Sequence, residues 1–94
     1  MKPLSALENH MFRDMITVSN KLIENLLIEN KDTTSIVLIE RIANIFISRL
    51  RKFLRMMDEM EVYELTKQLP SLKKMRASEK KILASKIKEF LKYV

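Results

Sequence analysis

The chain has no glycine among its 94 residues, and this absence restricts its fold more than any other feature. Glycine is the usual residue where the backbone needs a positive φ, as in tight hairpin turns and left-handed helix caps. It is also the residue that lets a loop wrap closely around a phosphate. We therefore expect helices joined by polar connections, and enzymes that hold nucleotides in a glycine-rich loop are excluded.

The length and composition indicate one folded domain over residues 1–94. Of these residues 47% are hydrophobic and 32% are charged, which is typical of a globular protein and too apolar for a disordered one. The chain has no cysteine, so disulfides, thiolate nucleophiles and cysteine zinc sites are excluded. The first residues lack the apolar segment of a signal peptide, and the apolar run 36–39 is too short to span a membrane. These features predict a cytoplasmic protein without membrane contact.

The first helix is predicted to begin after Ser5. Glu8 follows three residues later, which is the spacing of a capping box. The polar segment 30–34 is expected to end the helix. Between these limits the apolar residues form two adjacent stripes at spacings of three and four, which indicates either a wide buried face or two partners. The first stripe contains Leu7, Met11, Met15, Val18, Leu22 and Leu26, and the second contains Phe12, Ile16, Ile23 and Leu27.

The second helix is predicted to start after Asp32, Thr33 or Thr34 and to run to about Met57. Its first half, residues 36–47, is apolar on almost every side, which is typical of a helix at the centre of a bundle or inside an oligomer. Its second half is strongly basic. We therefore predict an all-α fold, a small bundle of about four helices with a long central helix, completed by oligomerisation.

Two further helices are predicted in the last third of the chain. Asp58 and Glu61 have capping-box spacing and open a short helix that Pro70 ends. Ser78 is expected to cap the final helix. The apolar stripe of that helix contains Ile82, Leu83, Ile87, Phe90, Leu91 and Val94, and its opposite side contains Lys81, Lys88 and Lys92.

Few residues of this sequence are candidates for catalysis or metal binding. His10 is the single histidine and has Asp14 one turn away, but a metal site needs more converging ligands and an acid–base site needs a pocket. Asp58, Glu59 and Glu61 lack the spacing of a calcium loop and are explained by helix capping. We predict no catalytic, metal-binding or cofactor-binding residues, and a protein that is not an enzyme.

Basic residues are concentrated toward the end of the chain. Residues 61–94 contain nine basic and four acidic side chains, a balance of +5 within the formal net charge of +6. Such charge is either a solvated face or a contact for nucleic acid or an acidic partner. Aromatic residues that would stack on bases are not interleaved with it, so any DNA contact is expected to be weak. The candidate contacts are Arg49, Lys52, Arg55, Lys73, Lys74, Arg76, Lys80 and Lys81.

Three segments, in this order and spacing, resemble the helical A domain of GINS subunits. They are an acidic–aromatic–basic pattern at residues 7–14, Arg-Leu-Arg-Lys-Phe at 49–53, and Met-Arg-Ala-Ser-Glu at 75–79. The resemblance is to the archaeal class in which the helical domain comes first and a small β-rich domain follows. Since the sequence ends at Val94, we expect that β domain to be absent or truncated here.

The resemblance implies a non-catalytic scaffold of DNA replication near the nucleoid. Such a scaffold assembles with other GINS-type subunits and joins the MCM helicase to a RecJ-like protein. The apolar central helix suits this role, because it has more apolar surface than a short bundle covers from one side. The expected subunit interface consists of Met11, Met15, Leu38, Ile42, Ile45, Phe46, Leu50 and Phe53. The alternative hypothesis is a small basic nucleic-acid-binding protein.

Overall fold

The computed structural model describes residues 4–30 and 35–94. In these residues the prediction of a small all-α bundle is confirmed. The helices are α1 (Ala6–Glu29), α2 (Ser35–Arg55), α3 (Glu59–Thr66) and α4 (Ala77–Leu91), with a short 3₁₀ turn at Pro70–Leu72. With 24 residues, α1 is slightly longer than the central helix α2, which has 21.

The capping boxes predicted for α1 and α3 are both present. The Ser5 hydroxyl accepts a hydrogen bond from the Glu8 N–H at 3.1 Å, and the Glu8 carboxylate accepts one from the Ser5 N–H at 3.2 Å. Asp58 and Glu61 form the same reciprocal pair at 2.8 and 3.0 Å. Both helices therefore begin where their capping residues satisfy the unpaired N–H groups of the first turn.

Other helix boundaries differ from the prediction. The final helix begins at Ala77 rather than after Ser78, because the Glu79 carboxylate accepts the Arg76 N–H at 3.1 Å and closes the first turn there. The central helix ends at Arg55, before the predicted Met57. The predicted end of the first helix and the cap of the second at Asp32, Thr33 or Thr34 lie partly or wholly in residues 31–34, outside the described residues.

The core forms around α2, which packs against α1 on one side and α4 on the other, while α3 packs against α4. The fully buried side chains of α2 are Ile42, Ala43, Phe46, Leu50 and Leu54. They meet Ile23 of α1 and Leu83 and Ile87 of α4, which are also fully buried. The Cα radius of gyration is 12.7 Å, close to the ~12 Å typical of a compact domain of this length. The chain therefore closes a core without a partner.

The end of α2 is bonded to α4 through Lys88. The Lys88 ammonium donates to the backbone oxygen of Met57 at 2.6 Å and to that of Leu54 at 3.3 Å. Carbonyls at a helix end lack partners within the helix and attract positive charge. The prediction that Lys88 lies on the side of α4 opposite its apolar stripe is therefore wrong, since this side chain is half-buried against the end of α2.

Candidate interaction surface

The two apolar stripes of α1 have different environments. Ile23 of the second stripe is fully buried, and Phe12, Ile16 and Leu27 of the same stripe pack against the core while partly buried. In the first stripe, by contrast, Leu7 is 69% exposed, Met11 50% and Val18 38%. The bundle therefore covers one stripe and leaves much of the other on the surface.

We call this partly uncovered row the α1 stripe, which comprises Leu7, Met11, Met15, Val18 and Leu22. Met15 and Leu22 are half-buried, and the other three are exposed. From Met11 to Leu22 the stripe extends about 16 Å along the helix, at roughly 1.5 Å per residue. Its size and apolar character are typical of a surface that packs against another protein segment.

Four of the residues predicted for a subunit interface are the chain's own core. Ile42, Phe46 and Leu50 are fully buried, and Phe53 is 8% exposed. The expectation that these four face a partner is wrong for this fold, because α1 and α4 cover α2 from both sides. Sequence alone could not reveal this, since a helix that is apolar on every side is equally suited to a bundle centre and to an oligomer.

The remaining four predicted interface residues are accessible to different degrees. Met11 is exposed, while Met15, Leu38 and Ile45 are half-buried and pack against the core. Met11 and Met15 belong to the α1 stripe. The stripe residues that the interface prediction missed are Leu7, Val18 and Leu22. The signal for them in the sequence was that α1 has two apolar stripes on different sides of the helix.

Two segments that carried the family resemblance contact each other in the fold. Lys52 on α2 pairs with Glu8 on α1, with Nζ and Oε2 3.4 Å apart. The rings of Phe12 and Phe53 lie beside this pair, with centroids 5.0 Å apart. The segments 7–14 and 49–53 therefore share a role, which is to join the start of α1 to the end of α2.

The pKa of Glu8 is lowered in the folded chain. The Ser5 N–H, the Ser5 hydroxyl and then the Lys52 ammonium stabilise the charged carboxylate, and together they hold the pKa of Glu8 below its ordinary value of 4.5. Hydrogen bonds to the charged form and a nearby cation both lower the pKa of a carboxyl group. The shift results from capping and an ion pair, so it is no sign of a catalytic acid.

The predicted basic residues on α2 are partly occupied by contacts within the chain. Lys52 pairs with Glu8, and the Arg55 guanidinium donates to the backbone oxygen of Val94 at 2.6 Å. Arg49 is exposed. This group lies in the second half of α2, next to the start of α1.

The other predicted basic residues lie after the 3₁₀ turn and in the first turns of α4. Lys73, Lys74 and Arg76 are exposed between the 3₁₀ turn and α4, and Lys80 is half-buried. Lys81 lies over the ring of Tyr63, 5.9 Å from its centroid.

Lys74 of the second group lies far from Lys52 of the first. Lys74 lines a cleft with Leu38, near the start of α2. Roughly 21 Å of helix, at about 1.5 Å per residue, separates Leu38 from Lys52. Lys74 and Lys52 therefore lie near opposite ends of α2 and do not share one compact patch.

The acidic residues and the single histidine have ordinary surface contacts. His10 and Asp14 are exposed, with Nε2 and Oδ2 3.5 Å apart. Within residues 4–30 and 35–94, no three His, Asp or Glu side chains come together in a way that would hold a metal ion. A cleft between α1 and the segment after α3 is lined by Asn9, Phe12, Arg13, Ile16, Thr17 and Gln68. Those side chains supply no nucleophile paired with a base.

For the parts of the chain that the structure describes, none of the helices has the length and apolar character needed to cross a membrane. Comparisons of the chain with models of known protein families, with curated proteins and with solved structures found no match.

Proposed function

We propose that this chain is a non-catalytic assembly subunit of the DNA replication machinery, a GINS-like scaffold that links the MCM helicase to a RecJ-like protein. The observation that carries the proposal is the α1 stripe. The bundle closes its own core and still exposes Leu7, Met11 and Val18 on one side of its longest helix. Apolar surface of this kind typically marks a site of protein–protein contact.

The specific role in replication rests on the resemblance alone. Two of the three resembling segments meet through the Glu8–Lys52 ion pair and the Phe12–Phe53 ring contact. These contacts join the start of α1 to the end of α2. The third segment, 75–79, starts α4 at the other end of the bundle.

Reconstitution would test this function. The purified chain would be mixed in turn with GINS-type subunits, the MCM helicase and a RecJ-like protein from the same source, and each mixture measured by size-exclusion chromatography with light scattering. We expect a complex with at least one of them, weakened by Met11→Asp and unchanged by Thr17→Asp. Thr17 is exposed on α1 outside the stripe, which makes it a matched control. If wild-type protein binds none of the three, the proposed function is wrong.

A second candidate function is nonspecific binding to nucleic acid. The observation that favours it is the exposed group Lys73, Lys74 and Arg76 beside the start of α4. Phosphate contacts by such residues release counterions, so the affinity should fall steeply with salt. Labelled DNA would be titrated at two salt concentrations against wild type and Lys73→Ala/Lys74→Ala. No binding near physiological salt, or binding without a salt slope, would exclude this candidate.

A further inference from the structure

Four residues of the α1 stripe have the spacing of a coiled-coil seam. Met11, Met15, Val18 and Leu22 follow one another at intervals of four, three and four residues. This alternation keeps apolar side chains along one line of a helix and lets a second helix pack along it. The partner that fits the stripe best is therefore another helix with the same spacing.

A row of residues beside the seam has a charge pattern that would match a second copy of the same row running in the opposite direction. Leu7, Asp14, Lys21 and Ile28 recur every seven residues, and all four are exposed. Read from either end, the row has an apolar residue at both ends and opposite charges in the middle. When two such rows run in opposite directions, each acidic residue faces a basic one and each apolar residue faces another apolar residue.

We propose that a second copy of this chain packs its α1 antiparallel against the α1 stripe, about a twofold axis. Met11 then lies opposite Leu22 of the second copy, and Met15 lies opposite its Val18. Asp14 faces Lys21 of the second copy, and symmetry produces this ion pair twice. The proposal rests on the assembly role proposed above and names the partner for this surface.

The charges in this row are free to change partners. Asp14 is near His10 at 3.5 Å, and Lys21 is near Glu24 at 3.5 Å, but all four side chains are largely exposed. Exposed pairs of this kind contribute little, so exchanging them for pairs across the interface costs little. The seam has only four apolar layers, and a contact of that size is expected to bind in the micromolar range.

Charge reversal tests both the partner and the direction of pairing. Asp14→Lys or Lys21→Asp alone places like charges opposite each other twice, and we expect self-association to weaken about 5- to 30-fold by sedimentation equilibrium. An equimolar mixture of the two single variants restores opposite charges at both positions, as does the double variant, so both should regain wild-type association. Glu24→Lys changes the charge of α1 by the same amount at a position outside both the seam and the charged row, and it should have little effect on self-association. Far-UV circular dichroism checks that each variant folds.

The outcomes separate this inference from the proposed function. A wild-type chain that stays monomeric at about 300 µM, well above the expected dissociation constant, would overturn the pairing. So would a mixture of the two single variants that fails to regain association. If the chain is monomeric but binds replication proteins through Met11, the proposed function stands and the pairing is wrong. If the charge-swap pattern is seen but no replication protein binds, the pairing stands and the proposed function fails.

Discussion

At the scale of single residues, Lys88 is a charged side chain that stabilises the fold by bonding to backbone carbonyls. Its ammonium donates to the carbonyl of Leu54 in the last turn of α2 and to that of Met57, two residues after the helix. Lys86, two residues earlier on α4, forms ion pairs with Glu40 at 3.9 Å and with Glu89 at 3.5 Å. Both residues are lysines on α4, but Lys88 contacts backbone carbonyls and Lys86 contacts carboxylates. Their contributions to stability should therefore differ.

We predict that Lys88→Met lowers the free energy of unfolding by about 1–3 kcal/mol, because it leaves part-buried carbonyls without their charged donor. Lys86→Met on the same helix removes only partly exposed ion pairs and should cost less than about 1 kcal/mol. Urea unfolding followed by circular dichroism measures both. Equal losses for the two variants would contradict the assigned role of Lys88.

The capping carboxylate of Glu8 predicts a pH effect. Its pKa in the folded chain is below the ordinary 4.5, so its contribution to stability is present above that value and is lost as the pH falls through the folded-state pKa. Glu8→Gln keeps a side chain able to cap Ser5 but removes the charge. Between about pH 5 and pH 3 we expect the variant to lose less stability than wild type. Glu24→Gln, away from any cap, is the control. If Glu8→Gln lost as much free energy of unfolding as wild type over this pH range, the pKa of Glu8 would not be lowered in the folded chain.

At the scale of helices, the sequence predicts starting points better than partners. The caps of α1 and α3 follow from local hydrogen bonds between residues three apart, such as Asp58 and Glu61, and they are present as predicted. Which side of α1 is buried depends on how α2 and the 3₁₀ turn lie against it, through contacts such as the 2.8 Å bond from the Ser71 N–H to Asn20. That bond joins residues 51 positions apart. No local pattern contains such information, so the two stripes of α1 could not be ranked from sequence.

The placement of α2 leads to a prediction about its two neighbouring apolar residues. Phe46 is fully buried at the centre of the core, and Ile45 is half-buried at its edge. Phe46→Ala should lower the free energy of unfolding by about 3–5 kcal/mol through lost contacts and a cavity. Ile45→Ala should cost about 1 kcal/mol. Urea unfolding of the dilute chain measures both, and Phe46→Leu is the substitute if Phe46→Ala does not fold. If the Phe46→Ala chain were as stable as wild type, Phe46 would not belong to the core of the single chain, and the prediction that it lies at an intermolecular interface would stand.

At the scale of the whole molecule, the core and the exposed stripe imply that folding and assembly are separate events. An obligate oligomer typically has no stable folded monomer, since its core is completed only at the interface. In this chain the largest side chains of α2 are buried by α1 and α4 of the same chain. The exposed residues of the α1 stripe, Leu7, Met11 and Val18, lie outside that core, and Met15 packs against its edge. A partner on the stripe would thus add stability to a domain that is already closed.

This separation predicts how the chain behaves on dilution. From about 300 µM to about 1 µM we expect the sedimentation coefficient to fall from that of a dimer toward that of a monomer, following mass action. Over the same range the helix content, measured by circular dichroism, should stay constant, because each chain keeps its own buried core around α2. Met11→Asp should give the monomer value throughout with unchanged helix content, since Met11 is half-exposed and contributes little to that core. A loss of helix that parallels dissociation would mean instead that the bundle needs its partner to fold, and that the core around α2 is too small to hold the chain together alone.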